Sequence, residues 1–387
     1  MVHDKKHNVT KVLNIIIILL WSWDDVCCIY FGFYGFARFI QISMLTVMKK
    51  LTTAILLTVI LWSCKSTPSK LGEKPVVTAP ADSLLSWNEG VNKKAILDFV
   101  ANTTTEGSLG FIPVQDRIAV FDNDGTLWSE QPAYFQLLYA LDRVRKIAPQ
   151  HPEWKGKEPF ASIMKGDMKG LMASGEKGIA AVMMVSHAGM TTDEFEQAVK
   201  DWLTTSKHPK TGKPFNEMTY GPMIELLKYL RAHEYKTFIV SGGGIDFMRV
   251  WAEAAYGIPP YQVVGSSIKT KYEIKNGQPV LVKIPELNFI DDKEGKPVGI
   301  YQSIGKRPVF AAGNSDGDFA MLQWTTTATG YPRFGMIVHH TDSTREYSYD
   351  RDSHIGQLNK GLDSAARYNW KIIDMQKDWK KIYSFEK

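Results

Sequence analysis

Two carboxylates two residues apart, in Asp122-Asn123-Asp124-Gly125-Thr126, follow directly on the apolar run Ile118-Ala119-Val120-Phe121. Such a run suits a strand buried on both faces, and residues just past its C-terminal end stand where open α/β sheets bind their ligands. A carboxylate at that place can attack phosphorus and so split one displacement into two easier ones. A second carboxyl two residues on can protonate a leaving alkoxide and later activate water. Asp, Asn and Gly also favour turns, so the pentapeptide alone reads equally well as a turn. Three further polar clusters shift that balance. Ser241 follows the apolar Thr237–Val240 and precedes Gly242-Gly243-Gly244, which offers a hydroxyl and bare backbone N–H groups to an anion at a helix start. Lys296 precedes an apolar stripe at Val298, Ile300 and Ile304, and Gly313-Asn314-Ser315-Asp316-Gly317-Asp318 follows the run Val309–Ala312. Each cluster closes a buried strand or opens the next helix, so the four should converge on one edge of a sheet.

In this order the clusters resemble the motifs of the haloacid dehalogenase superfamily, from about Arg117 to His340. The resemblance implies a Mg²⁺-dependent phosphohydrolase acting on a small-molecule phosphate ester. Its nucleophile maps to Asp122 and its general acid/base to Asp124. Phosphate oxygens would be neutralised by Mg²⁺, Lys296, Ser241 and the backbone of Gly242 and Gly243. Asp122, the backbone carbonyl of Asp124 and the last loop would supply the oxygen ligands that Mg²⁺ requires. That loop departs from the pattern, because Asn314 stands where most members have an aspartate and the expected metal shell lacks one negative charge. Asp318 matches the second acidic position, bound directly or through water, with Asp316 an outside candidate. Lys293 rivals Lys296, which is preferred because it stands at the helix start. Dehalogenases lack the second aspartate and phosphonatases do not keep it as an acid, so Asp124 argues against both.

Positioning these residues requires alternating strands and helices, hence a parallel sheet covered by helices. Strands are expected at Arg117–Phe121, Thr237–Val240, Val309–Ala312 and Met336–Val338, and helices at Asn92–Val100, from Met223, at Gly244–Tyr256 and from Phe319. The fold class is therefore α/β, a Rossmann-like parallel sheet with an inserted all-helical domain. The insert spans 128–219, where Pro132 opens one helix pattern and Thr191 with Glu194 forms a capping box for another. The core comprises 87–127 and 220–387. Lys271–Pro285 reads as a hairpin around Asn276-Gly277.

The insert sits where the superfamily's first cap type lies, as in phosphoserine phosphatase-like members, and should choose the substrate by closing over the site. Trp128 and Glu130 follow the aspartates closely enough to face the opening as substrate-binding residues. Glu130 is one residue out of register with the phosphoserine phosphatases' amine-binding glutamate, so that role is not carried over. Arg143, Lys165, Lys169 and His187 are weaker candidates. Phosphoserine, phosphocholine held in an aromatic cage, and non-specific acid phosphatase activity are the substrate readings. A noncatalytic binding lipoprotein on the same fold is the reading of a different class, motivated by Asn314. His339 and His340 are neighbours on a strand, so they face opposite sides and do not make a metal pair. Glu346–Arg351 is expected to pack the C-terminal segment without chemistry.

The N-terminus reads as an address. Met48-Lys49-Lys50, the apolar Leu51–Trp62 and Ser63-Cys64 have the grammar of a secretory signal and, with the cysteine, resemble a bacterial lipoprotein signal. Residues 1–47 are then a start-site overcall, 48–63 the signal, Cys64 the lipidated first residue, and 64–86, with Pro68, Pro75 and Pro80, a tether. The expected location is the cell envelope, with the chain lipid-anchored on the periplasmic or outer side of a membrane. The 387 residues are 44% hydrophobic and 22% charged, which excludes fibrous and low-complexity classes. The net charge is +5, but six basic and three acidic residues lie in 1–63, leaving 40 against 38 and little support for nucleic-acid binding. All three cysteines, Cys27, Cys28 and Cys64, precede the globular part, so no disulfide staples it.

Overall fold

A computed structural model describes residues 84–386. The signal segment, Cys64 and most of the tether lie outside the described residues. In chain order the elements are α1 (Val91–Thr104), β1 (Ile118–Phe121), α2 (Phe135–Ile147), α3 (Phe160–Lys165), α4 (Met168–Ala173), α5 (Gly175–His187), α6 (Thr192–Thr205) and α7 (Gly221–Ala232). There follow β2 (Lys236–Gly244), α8 (Ile245–Arg249), α9 (Ala252–Tyr256), β3 (Val263–Lys275), β4 (Gln278–Phe289), α10 (Gly295–Ile304), β5 (Phe310–Gly313), α11 (Phe319–Thr326), β6 (Phe334–His339), α12 (Lys360–Tyr368), β7 (Lys371–Asp374) and α13 (Met375–Asp378).

The seven strands form one sheet in the order β4-β3-β2-β1-β5-β6-β7, parallel throughout except for the antiparallel pair β3–β4. Alternation along each strand feeds two cores, because successive side chains leave opposite faces. Ala119, Phe121, Met336 and Val338 join one cluster with Ile96 of α1 and Leu226 of α7. Ile118, Val120 and Ile337 join the other with Ile300 of α10 and Leu322 of α11. A central strand covered on both faces is why β1 reads as an unbroken apolar run. It also sits between β2 and β5, where the strand order changes direction and the loops on either side diverge to leave a crevice.

Between β1 and β2 all regular structure is helical, and α2 to α5 share a third small core that includes Leu141, Val144, Leu171 and Val182. The capping box forms as expected, with Thr191 Oγ1 accepting from the Glu194 N–H at 3.1 Å and Glu194 accepting from the Thr191 N–H at 2.7 Å. The insert is tied to the sheet through β4, where the Gly189 N–H donates to the Lys283 carbonyl and the Lys283 N–H to that of Met190, both at 2.9 Å. Among the described residues no helix is long and apolar enough to cross a membrane.

Several boundaries differ from expectation for physical reasons. The folded part begins before residue 87, since Leu84 is buried and Ser86 bonds Glu225 through both its N–H and its hydroxyl. Pro132 lies ahead of α2 rather than opening it. The expected helix Gly244–Tyr256 is two short ones, α8 and α9, interrupted at Val250-Trp251. The Asn276-Gly277 turn has φ of 52° and 77°, as a two-residue hairpin turn of this hand requires, but its strands run far beyond Lys271–Pro285.

Candidate active site

The strand ends deliver the four polar clusters to one cavity of about 350 Å³, lined by Asp122, Asp124, Glu130, Ser241, Asp292 and Lys296 among others. Asp122 leaves the end of β1. Its loop turns back because the Asn123 carbonyl accepts the N–H groups of Thr126 and Leu127 at 3.1 and 2.8 Å. Gly125 takes φ +73° there, and a Cβ on it would meet Asn314 Nδ2 at 2.1 Å and Glu130 Oε1 at 2.4 Å, so only glycine fits. Ser241, Gly242 and Gly243 belong to β2 itself, which runs on to Gly244, rather than to a helix start. Ser241 Oγ accepts from the Gly243 N–H at 3.1 Å, and both Gly242 and Gly243 line the cavity.

Lys296 enters from the first turn of α10 and is almost completely buried. Its Nζ donates to Asp122 Oδ1 and Asp318 Oδ1, each at 2.6 Å, and to the Val240 carbonyl at 3.0 Å. Lys293 is exposed and takes no part in this cluster. Burial opposes the charge on Lys296, but Asp122 and Asp318 outweigh it and hold its pKa above the ordinary lysine value. The two carboxylates therefore compete for one positive charge. Burial first, and then the negative charge of Asp318, push the Asp122 carboxyl up to about 8. Burial likewise lifts Asp124 to about 6, against a bond of 2.8 Å from Trp128 Nε1 to Asp124 Oδ1. Glu130 is raised well above the usual carboxyl range, again by burial first.

Trp128, expected to face the opening, and Asp318, expected as a metal ligand, do not line the cavity. Trp128 stacks on Trp251 with 3.9 Å between ring centres and packs against Phe135, so it orients Asp124 from within the core and does not face substrate. Asp318 has both oxygens occupied: Oδ2 accepts the N–H groups of Asn314 and Ser315 at 2.9 and 3.0 Å, and Oδ1 accepts from Lys296. It braces the loop and the lysine through these three bonds, against the single bond that Asn314 Oδ1 accepts. Asp316, the outside candidate, instead accepts the N–H groups of Asn359, Lys360 and Gly361, capping α12 from a distance. Glu130 does line the cavity, with Oε1 accepting from Asn314 Nδ2 at 2.7 Å and from the Tyr349 hydroxyl at 2.8 Å. Lys165, Lys169 and Arg143 line neither this cavity nor its neighbour, and His187 lines only the neighbour.

Among the described residues no three His, Cys, Asp or Glu side chains are arranged to hold a metal ion by themselves. The candidate oxygen donors are of mixed kind: the Asp122 carboxylate on the cavity wall, the backbone carbonyl of Asp124, and the amide oxygen of the buried Asn314, which accepts from the Thr126 hydroxyl at 3.1 Å. The buried carboxyls Asp122, Glu130, Asp291 and Asp318, with the half-buried Asp124 among them, surround a single ammonium. A hard divalent cation suits that excess of oxygen and negative charge, and Mg²⁺ prefers such donors. The residues present therefore fit the ion.

Several contributors carry no local sequence signal. Gln136 lines the cavity and accepts from the Gly244 N–H at 2.6 Å, which fixes the end of β2 against the insert. His340 Nε2 donates to the Gly125 carbonyl at 2.7 Å and steadies the aspartate loop, while His339 points away to Asp350. Tyr349 lies in the segment to which no chemistry was assigned.

A mostly parallel α/β sheet thus brings a carboxylate pair, a lysine and a serine-glycine strand end to one cavity at its switch point. The chain belongs to the haloacid dehalogenase-like hydrolase family, whose profile matches residues 119–323. Among solved structures it is similar to a protein of unknown function from Bordetella pertussis Tohama I, at 15% identity over 67% of this chain and 98% of that one, with a TM-score of 0.43. A functionally unknown protein from Anaerococcus prevotii DSM 20548 is similar at 16% identity over 64% and 85%, TM-score 0.42. A phosphoserine phosphohydrolase-like protein from Francisella tularensis subsp. tularensis SCHU S4 is similar at 15% over 65% and 98%, TM-score 0.33. No curated protein matches the sequence.

Proposed function

We propose that this chain is a Mg²⁺-dependent phosphatase that hydrolyses a small-molecule phosphate monoester through an aspartyl-phosphate on Asp122. The observation that carries this reading is the hold of Lys296 on Asp122 Oδ1, which leaves Oδ2 free beside Asp124, Ser241 and the bare backbone of Gly242-Gly243.

In the first step Asp122 Oδ2 attacks phosphorus and the bond from phosphorus to the ester oxygen breaks. Asp124 gives its proton to the departing alkoxide, and a carboxyl lifted to about 6 is suited to both halves of that transfer near neutrality. In the second step Asp124 takes a proton from water, the water oxygen attacks phosphorus, and inorganic phosphate and the Asp122 carboxylate are regenerated. The Ser241 hydroxyl, whose oxygen accepts from the Gly243 N–H, donates to a phosphoryl oxygen, and the Lys296 ammonium, held by Asp122, Asp318 and Val240, supplies positive charge beside it. Asp122, the Asp124 carbonyl and Asn314 would hold Mg²⁺, which when bound supplies charge neutralisation to the phosphoryl group and keeps Asp122 ionised.

The test is turnover of a broad phosphate-ester panel by the purified chain with and without Mg²⁺, together with a search for a mass increase of one phosphoryl group on the peptide carrying Asp122. Turnover with that adduct supports the reading. No turnover of any ester in either condition overturns it in favour of a noncatalytic binder.

We also infer that Cys64 is lipidated and holds the chain on the periplasmic or outer side of an envelope membrane. The support is the agreement of basic start, apolar length and cysteine position. Partition into detergent that is unchanged by Cys64→Ser would refute it.

A further inference from the structure

A second cavity of about 590 Å³ opens directly from the first, the two sharing Gln136, Ile179, Met183, Gly242 and Ile290 as walls. Cavities of roughly 300–1,000 Å³ are the size that takes a whole small-molecule ligand. Its far walls come from the insert, with Met172 of α4 and Met184 of α5, and from the hairpin, with Ile268 and Leu287. Met172, Leu287 and Ile290 are about half exposed. Apolar side chains left open to water around one opening mark a binding surface rather than a core. Methionine, unbranched and adaptable, fits walls that must meet an apolar body of variable shape.

Several polar groups of this cavity are already occupied. Gln136 accepts from the Gly244 N–H, Ser266 Oγ donates to the Gly242 carbonyl at 2.8 Å, and Asp246 pairs with Lys283 at 2.5 Å. His187 is kept neutral by burial, which lowers its pKa to about 4. Lys296 is the one lysine or arginine among the described residues lining either cavity, and its three protons go to Asp122, Asp318 and Val240. A carboxylate on the leaving group would find no free cation here and would face Asp246 and Asp292. A quaternary ammonium would find no aromatic cage, because the rings lining the second cavity are His187 and His354.

We propose that the second cavity is the leaving-group subsite for a bulky, uncharged, apolar alcohol. The substrates are then phosphate monoesters with a long alkyl or aryl body, rather than phosphorylated amino acids or phosphocholine. The inference rests on the phosphatase reading for which end of the ester lies at Asp122, but its binding chemistry stands on the walls alone.

The experiment is calorimetric binding of ethyl, butyl, hexyl and octyl phosphate, O-phosphoserine and phosphocholine to the full chain carrying Asp122→Asn, in Mg²⁺. Each buried methylene should tighten Kd by up to about four-fold until the cavity is filled. Phosphoserine and phosphocholine should bind at least about tenfold more weakly than butyl phosphate. Leu287→Asp, at a half-exposed position, should flatten the series. Met183→Asp should do so from the opposite wall, with Met183→Leu restoring it. A flat series, no binding of any ester, or phosphoserine binding tighter than octyl phosphate overturns the proposal. Turnover by the unsubstituted chain is scored separately. A tightening series without turnover keeps the subsite and sinks the phosphatase reading, whereas turnover with a flat series does the reverse.

Discussion

The strand-end layer and the wall facing it are built on opposite principles. Around Asp122 many polar atoms are braced: Lys296 makes three bonds, Asp318 receives two backbone N–H groups, Trp128 and His340 fix Asp124 and Gly125 of the aspartate loop, and Tyr349 fixes Glu130. On the wall, Met183, Met172, Leu287 and Ile290 make no directional contact and are partly open to water. Preorganised charge in a dry site is where catalytic rate comes from. Loosely held apolar surface chooses what is bound. Substitution in the layer should therefore change rate and stability, and substitution on the wall should change selectivity.

The largest test of that contrast is Asp122→Asn, which removes the attacking oxygen. It should lower kcat by about 10⁴–10⁶, as loss of a nucleophile does elsewhere. Near-normal turnover in the purified variant would return Asp122 to an electrostatic role. Lys296→Met should also abolish turnover, and in addition lower stability by about 3–5 kcal/mol, because it leaves Asp122 and Asp318 buried without their cation. Leu287→Asp should leave the urea midpoint within a few tenths of a molar of the parent. Equal destabilisation by the two would erase the distinction between layer and wall.

Next in size is Asp124→Asn, which leaves the nucleophile and removes only proton transfer, worth about 10²–10⁴ in rate. The phosphorylated peptide should accumulate, since water attack in the second step needs the same base. A loss as large as that of Asp122→Asn, without accumulation, would mean that Asp124 acts before phosphorus is attacked. The loss should be smaller for aryl esters, whose leaving groups need little protonation.

The wall contributes one pH effect. His187 is buried and stacks on Phe195, and its Nδ1 donates to the Met183 carbonyl at 2.7 Å. Burial lowers its pKa to about 4 in the folded chain from the ordinary histidine value of 6.5, so between those limits the unfolded state binds the extra proton. Stability from this group is complete above about pH 6.5 and is lost as pH falls toward 4, by about 3 kcal/mol in all. Asp124 and Glu130, with raised pKa values, act in the opposite sense, so the comparison must be with His187→Gln. The parent should lose more stability than His187→Gln between pH 7.5 and 4.5 in urea titrations. Parallel losses would show that the ring does not titrate in this range.

What was legible in the sequence follows the same division. Asp122, Asp124, Ser241 and Lys296 stand at ends of apolar runs, and a run buried on both faces has few alternatives to a central parallel strand. The class of fold and the meeting of the four clusters follow from that. The braces were not legible, because Glu130 with Tyr349 and Gly125 with His340 join segments over two hundred residues apart with no shared local pattern. β7 was missed because Lys371-Ile372-Ile373-Asp374 is short and ends in charges. The wall was invisible for another reason: Ile179, Met183 and Met184 have the spacing of an ordinary helix face, and only the tertiary arrangement leaves that face against a cavity.

The smallest expected effect concerns Asn314, the residue most at odds with the family pattern. Its Nδ2 donates to Glu130 and its Oδ1 accepts only a hydroxyl, whereas both oxygens of Asp318 are occupied. We take Asn314 as the loop's metal ligand and Asp318 as a positioning residue. Asn314→Asp replaces a donor to Glu130 with a like charge, so without Mg²⁺ the melting temperature should fall by a few degrees. With Mg²⁺ the added charge is attracted to the ion in a partly desolvated site, so the melting temperature should recover, and the Mg²⁺ concentration for half-maximal activity should drop by about three- to tenfold. Asn314→Ala should raise that concentration. Asp318→Asn should lower kcat through Lys296 while leaving the half-maximal concentration nearly unchanged. If Asp318→Asn instead removes the Mg²⁺ dependence and Asn314→Ala does not alter it, the metal ligand is Asp318, and the hydrogen bonds that now occupy its oxygens must give way when the ion binds.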